Sequence, residues 1–242
     1  DKADFVNKEE LVKYDSRITG YIFASEKSRQ SSIHRCPQMT EKSIVVHNIL
    51  NRQNILSRSA EDVTLPQANG SFLLSVGNLR IEKNYPRQIE VMRILKERNI
   101  LIKWICVGST VDKNVYGEVS ELLEKYQLKD DFILCGADDN PYKYMKRAKA
   151  VMVLSDHESW SLVISEAKLL GVPVIATNTS GAQEQIVNGE TGIITSFQAE
   201  EIAEEIEEFL KNLDLQDKIR KNLLTDEAMK LGMQEFEELL RK

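Results

Sequence analysis

The sequence predicts an α/β fold: a parallel sheet covered by helices on both faces, followed by a helical C-terminal tail. Three observations carry that expectation. From Gly70 to Thr195, short apolar runs alternate with amphipathic stretches, the pattern that builds parallel sheets. The runs are nearly continuous in apolar residues, as strands buried on both faces are. Polar residues gather just after the runs, at Gly77 to Lys83, Gly108 to Thr110, Gly136 to Asn140, Ser155 to Ser159 and Thr177 to Gly181. That is the carboxyl edge of the strands, where open α/β sheets hold their ligands.

The first 65 residues read differently. Residues 9–14 are a short helix candidate and 18–24 a strand. Ser25 is placed to cap a helix running through Arg29 to His34, with Glu26 near its positive end. Residues 43–47 form a second strand, followed by Asn48 and a polar stretch over 51–62. Two strands and two helices make a poor independent core. Residues 1–66 are therefore expected to be the tail of a larger α/β layer, and the chain a fragment of a longer protein.

The regular part, 67–242, divides into strands at 72–76, 101–107, 131–135, 150–154, 172–176 and 192–195. Helical patterns follow most of them, at 86–98, 115–127, 141–148, 161–170 and 182–187. Beyond Thr195 the chain turns helical and acidic over 199–213, 215–223 and 226–241, a solvated charged face on covering helices.

Composition excludes several classes. The chain has 242 residues, 42% hydrophobic and 29% charged, which suits a soluble globular protein. A net charge of −6 with no basic stripe argues against a general nucleic-acid binder. No apolar run is long enough to span a bilayer. Cys36, Cys106 and Cys135 lack metal-ligand spacing, and the two in expected buried strands, Cys106 and Cys135, read as small hydrophobes in a reducing cytoplasm. His34, His47 and His157 are too scattered for a zinc site. Asp138-Asp139 reads as the turn into the helix at Pro141 rather than as a metal cluster.

The densest chemistry lies between Ser155 and Ala167. Ser159 and Ser161 are both plausible N-caps. Leu162, Val163, Ala167 and Leu170 form one apolar stripe with Glu166 inside it. A carboxylate on such a stripe is costly unless something hydrogen-bonds to it. Glu158 lies in the loop just ahead. Each glutamate alone reads as an ordinary solvated residue; together, at a helix N-terminus after a buried strand, they frame a pocket for a ligand bearing hydroxyls and a phosphate.

This stretch carries a resemblance. The order Ser155-x-x-Glu158, seven residues, Glu166-Ala167, then Gly171-x-Pro173-Val174-Ile175-Ala176-Thr177 resembles the signature of the GT-B fold retaining glycosyltransferases of family four, within the glycosyl transferases group 1. Ser75-Val76-Gly77-Asn78-Leu79 to Glu82-Lys83-Asn84 is similar to that family's Gly-Arg-Leu…Glu-Lys-Gly loop. Ser180-Gly181-Ala182-Gln183-Glu184 and Asn188-Gly189-Glu190-Thr191-Gly192 resemble its later glycine turns. The likeness is close from Phe72 to Thr195 and loose on the flanks.

The resemblance implies a Rossmann-like, donor-binding C-terminal half at 67–242 and the end of an acceptor-side domain at 1–66. Phe236, Leu239 and Leu240 would serve a last helix that crosses back to that domain. The implied reaction moves a hexose or N-acetylhexosamine from a nucleotide-sugar, UDP-linked, to a glycan or lipid-linked acceptor, with retention and without cofactor or metal. It implies catalytic roles for Lys83, at the departing diphosphate, and Glu158, beside the anomeric carbon. Gly77, Asn78, Arg80, Gly136, Ser159, Trp160, Ser161, Leu162, Glu166 and Gly181 complete the implied donor site. In it the amides of Trp160, Ser161 and Leu162 meet the phosphates, Glu166 holds the ribose, and Gly136 lies beside the base. Asn78 stands where the family has Arg, and two readings of Arg80 stay open: a substitute cation or a solvent-facing one. Gly181 likewise reads either as a close approach to the sugar or as a plain turn. Cytoplasmic placement, at the inner face of a membrane through the absent N-terminal half, is the implied location.

Two other readings compete. A dinucleotide-dependent dehydrogenase is disfavoured because no strand runs into Gly-x-Gly-x-x-Gly; a sugar-nucleotide epimerase would need an acid–base set that the sequence does not offer clearly. A nucleotide-sugar-binding module without activity of its own is the third.

Overall fold

The structure is a computed structural model that describes residues 17–65 and 71–225. The helices expected at 9–14 and 226–241, and Phe236, Leu239 and Leu240, lie outside the described residues.

Six strands form one all-parallel sheet: β3 (Phe72–Val76), β4 (Lys103–Val107), β5 (Phe132–Gly136), β6 (Ala150–Val153), β7 (Val174–Thr177) and β8 (Ile193–Thr195). Their spatial order is β5-β4-β3-β6-β7-β8. The chain thus winds outwards from β3 in one direction and from β6 in the other, the doubly wound, Rossmann-like arrangement. β3 and β6 pair in register at Leu73 with Ala150 and Leu74 with Val151, and the crevice at their carboxyl ends is the topological switch point.

Side chains alternate across this sheet and divide the core in two. Leu73, Trp104, Cys106 and Met152 face helices α3 (Tyr85–Glu97), α4 (Lys113–Lys125), α8 (Ala199–Lys211) and α9 (Leu213–Thr225). Phe72, Leu74, Ile105, Val151 and Val174 face the opposite layer of α5 (Tyr142–Met145), α6 (Leu162–Leu169) and α7 (Ser180–Gln185). Both faces are covered, so near-continuous apolar strands are what the fold requires.

The helices begin where the sequence supplies a cap. Asn84 takes the left-handed conformation, φ 45°, and its side chain accepts from the Arg87 amide to start α3. Asp112 caps α4, Ser161 α6 and Thr179 α7. The helix expected at 141–148 is shorter, because Lys149 N–H already pairs with Phe72 O and draws the chain into β6.

The N-terminal part forms a separate two-stranded parallel sheet of β1 (Tyr21–Phe23) and β2 (Ser43–Val45), with α1 (Glu26–Arg35) capped by Ser25. The strands are shorter than 18–24 and 43–47. The polar stretch 51–62 holds a helix that the sequence reading did not assign: Asn51 caps α2 (Arg52–Ser59), which buries Ile55. Asn140 fastens this helix by donating to Arg58 O at 2.9 Å and to Glu61 Oε2 at 2.8 Å. The Glu184 carboxylate accepts from the Glu26 and Lys27 amides, at 2.9 and 2.8 Å, and joins α1 to α7.

Candidate functional site

The site is assembled from two loops at the switch point. One follows β3 and runs through Gly77 to Asn84; the other follows β6 and runs from Leu154 to Ser161. Lys83 Nζ pairs with Glu158 Oε1, both side chains being largely covered, and Ser155 Oγ donates to the same carboxylate oxygen at 3.2 Å. A cation and a carboxylate 75 residues apart in sequence thus meet across the crevice.

Lys83 is held by a buried polar network. Gln88 Nε2 donates to Lys83 O at 2.9 Å, and Ser75 Oγ donates to Gln88 Oε1 at 2.7 Å while accepting from Trp104 Nε1 at 2.9 Å. The Tyr85 hydroxyl donates to Gly77 O at 2.6 Å; burial pushes that phenol far above its ordinary pKa, so it stays a donor. Gly77 has φ 147°, and Gly108 packs so close to it that a Cβ at 108 would lie 1.8 Å from Gly77 O. The backbone of the first loop is therefore crowded and fixed.

In the second loop, Trp160 stacks on His47 with ring centroids 4.0 Å apart and an interplanar angle of 12°. Its indole Nε1 is buried without a hydrogen-bond partner among the described residues. Ser161 caps α6 by accepting from the Ile164 amide, but its own amide is occupied: it donates to Gln185 Oε1 at 2.8 Å in a buried setting. This corrects the expected phosphate contact at Ser161. The other first-turn amides of α6, at Leu162 and Val163, stand at the helix N-terminus, the end that suits an anion. Ser159 is exposed in the loop and Leu162 is 45% exposed at the helix start.

Glu166 lies one turn into α6. It accepts from the Tyr142 hydroxyl at 3.0 Å, and burial raises its pKa above the usual carboxylate range, partly offset by that hydrogen bond. Burial and the adjacent carboxylate push the Tyr142 phenol up to about 12.

The other expected residues fall in different places. Asn78 is exposed, and its Oδ1 accepts from Ser109 N–H at 3.1 Å and Ser109 Oγ at 2.9 Å. It ties the first loop to the one after β4. Arg80 is 64% exposed with Glu82 3.9 Å away, the solvent-facing alternative, so it does not join Lys83. Gly136, φ 76°, ends β5 with open space around it. Gly181 makes a close approach, but to the protein: its amide donates to Glu158 O at 2.7 Å, and a Cβ there would lie 2.8 Å from that oxygen. Asp138 forms the expected turn, accepting from Asn140 N–H at 2.8 Å and pairing with Lys143 at 2.9 Å.

Three groups escaped the sequence reading. Tyr142, Gln185 and the Arg87–Asp156 pair all border the site, and each acts through a partner distant in sequence. Tyr142 follows the Asp138 turn, Gln185 follows Glu184 and Asp156 lies between Ser155 and Glu158, but that proximity in sequence gave none of them a role.

Fold and crevice together place the chain in the doubly wound α/β class. Residues 58–224 match the model of the glycosyl transferases group 1 family, and the chain belongs to that family. It is similar to the N-acetylgalactosamine-N,N'-diacetylbacillosaminyl-diphospho-undecaprenol 4-alpha-N-acetylgalactosaminyltransferase of Campylobacter jejuni, with 30% identity over 182 residues, 75% of this chain and 47% of that protein. It is also similar to the capsular polysaccharide biosynthesis glycosyltransferase CapM of Staphylococcus aureus, 30% identical over 158 residues, 64% of this chain and 40% of that one. The chain therefore spans about half the length of the curated relatives it matches, or less. Among solved structures, HepE of Anabaena in complex with UDP and glucose shares the fold, with a TM-score of 0.82 at 20% identity, covering 99% of this chain and 69% of that one.

Proposed function

We propose that the protein to which this chain belongs is a retaining glycosyltransferase. It moves a hexose or N-acetylhexosamine from a UDP-linked donor to a glycan or lipid-linked acceptor, as in surface polysaccharide synthesis. The observation that carries this reading is the Lys83–Glu158 pair at the switch point, beside the open start of α6 and one turn before a half-buried Glu166. The Campylobacter relative, named for transfer to a diphospho-undecaprenol acceptor, and the UDP-binding fold neighbour support it.

In this reading residues 67–242 bind the donor and 1–66 end the acceptor-side domain. Lys83 and the Leu162 and Val163 amides face the diphosphate. Negative charge grows there as the sugar departs, and a fixed cation stabilises it more in the transition state than in the ground state. Glu158 faces the sugar hydroxyls and steadies positive character near the anomeric carbon. Glu166 accepts from the ribose hydroxyls, and Gly136 lies beside the base. The acceptor hydroxyl attacks on the face the nucleotide leaves, and the departing phosphate takes its proton. Lys83 supplies the charge that a metal would otherwise bring, so the transfer runs without one. We place the enzyme in the cytoplasm, at the inner face of the membrane through its N-terminal half; among the described residues no helix is long and apolar enough to cross a membrane.

The test is incubation of the purified protein with radiolabelled UDP-sugars. Transfer or slow hydrolysis supports the proposal; epimer formation replaces it with an epimerase, and binding without turnover with a binding module. Activity that vanishes in chelator and returns with magnesium would overturn the metal-free part.

A further inference from the structure

The two loops that bring Lys83 and Glu158 together are joined by a second, separate group of polar side chains. Arg87, in the first turn of α3 and four residues after Lys83, pairs through Nη2 with Asp156, two residues before Glu158. Its Nη1 donates to Leu154 O at 3.1 Å, at the end of β6. Asn84 Nδ2 lies 3.1 and 3.0 Å from the two oxygens of the same Asp156 carboxylate. Asp156 N–H donates to Glu82 O at 2.8 Å, which closes the link at backbone level. The Arg87 side chain is 14% exposed, and its guanidinium carbon lies 5.5 Å from the centre of the Phe197 ring, which limits its freedom further.

Charge makes this arrangement more than a clasp. Asp156 and Glu158 are two carboxylates on one short loop, and Lys83 arrives from the loop facing both. With Arg87 on Asp156, each carboxylate has its own cation. Lys83 is then left to Glu158, whose side chain is the better covered of the two acids, 13% exposed against 32% for Asp156.

We propose that Arg87 and Asp156 are positioning residues, which fix the two loops in register and so hold Lys83 against Glu158. The inference rests on the functional reading of Lys83 and Glu158 for its importance, but not for its test. Neither residue touches the reacting atoms in this scheme; both act through the pair.

The experiment reads Lys83 directly. The full chain is labelled briefly with a limiting amine acylating reagent, and modification at each lysine is quantified by mass spectrometry. Glu158→Gln sets the level for a Lys83 without its carboxylate. Arg87→Met and Asp156→Asn should each raise Lys83 labelling about threefold, the scale of one partly exposed ion pair. The double variant should rise no further, since both substitutions open the same lock. Labelling at Lys168, which is buried, reports whether each variant is folded. In an active preparation the same variants lower kcat while the donor KM stays within about twofold, because uniform binding is not what they disturb. Lys83 labelling unchanged in both folded variants overturns the proposal, as does a double variant whose increase is the product of the two singles. A wild type that ignores UDP-sugars would sink the proposed function and leave this result standing, so the two can fail separately.

Discussion

The Tyr142 hydroxyl donates to Glu166 Oε1 at 3.0 Å, from the short helix before β6 to the helix after it. Burial holds the Glu166 carboxyl above its ordinary range, and the tyrosine works against that shift by stabilising the ionised form. A ribose held by hydrogen bonds donated to this carboxylate needs it charged. UDP affinity is therefore expected to fall as pH drops through the raised midpoint of Glu166, at a higher pH than an ordinary glutamate would give. Tyr142→Phe should move that midpoint further up, because the ionised form loses a hydrogen bond. Stability carries the opposite sign: a raised folded-state pKa means the native state binds more protons, so Glu166 costs stability as pH rises through this window. Carboxyl-carbon NMR and calorimetry across mildly acidic pH check both, and a midpoint unmoved in Tyr142→Phe contradicts the assignment.

Gln185 is expected to be worth more to stability than its polarity suggests. It accepts from the Ser161 amide at 2.8 Å and donates to Ser161 O at 2.9 Å and Ser165 Oγ at 2.8 Å, all buried. Gln185→Leu removes all three and strands the Ser161 amide, which lies in a buried setting. The cost is about 1–3 kcal/mol of unfolding free energy, the penalty of a buried unpaired group. Denaturant unfolding measures it, and a loss below about 0.5 kcal/mol, the range of ordinary surface changes, would show that the amide finds another partner.

Two glycines separate crowding from backbone strain. Alanine at Gly181 would put a Cβ 2.8 Å from Glu158 O and 2.9 Å from the Ser159 carbonyl carbon. Both are backbone atoms of the Glu158 loop, so that loop must move. Gly181→Ala should lower both stability, by about 1–3 kcal/mol as for overpacking, and donor binding. At Gly136 nothing lies within reach of a Cβ, but φ is 76°. Gly136→Ala is expected to cost about 1–2 kcal/mol through left-handed strain alone. Calorimetric titration with UDP beside denaturation distinguishes them: Gly181→Ala with wild-type affinity would mean that the loop carrying Glu158 is not part of the binding surface.

The sheet was legible because burial on both faces leaves a local signature. The run 72–76 was placed to the residue, and the first turn of the helix carrying Glu166 was marked by Ser161. Helix α2 was missed because its pattern is mostly polar, and it buries only Ile55 and Ser59. Its stability comes from the cap at Asn51 and from docking on α5, which no short window of sequence contains. The site divides the same way. Glu158 and Glu166 stand out by spacing along one helix entry. The occupation of the Ser161 amide by Gln185, 24 residues on, and the pairing of Arg87 with Asp156 across 69 residues leave no local trace. Asn78 was placed in the donor site by the resemblance, where the family has Arg, yet its side chain is taken by Ser109 in the next loop.

Lys83→Ala should depress turnover more than affinity. The lysine already has a partner in Glu158, so a ground-state diphosphate gains only the difference between two ionic contacts, one made and one weakened. The advantage grows when the bond to the sugar breaks and charge collects on the leaving phosphate, which a preorganised cation stabilises without rearrangement. A loss of about 10²-fold or more in kcat is the expected scale for one such group, with donor KM changed much less. Among the described residues, the variant also leaves Glu158 with only the Ser155 hydroxyl, at 3.2 Å. Lys83→Met in a Glu158→Gln background separates the two effects: if Lys83 acts chiefly on the leaving group, adding Lys83→Met still removes most of the residual turnover. If it does nothing further there, the lysine serves only to hold the glutamate. A pure rise in KM with kcat intact would assign it to ground-state binding instead.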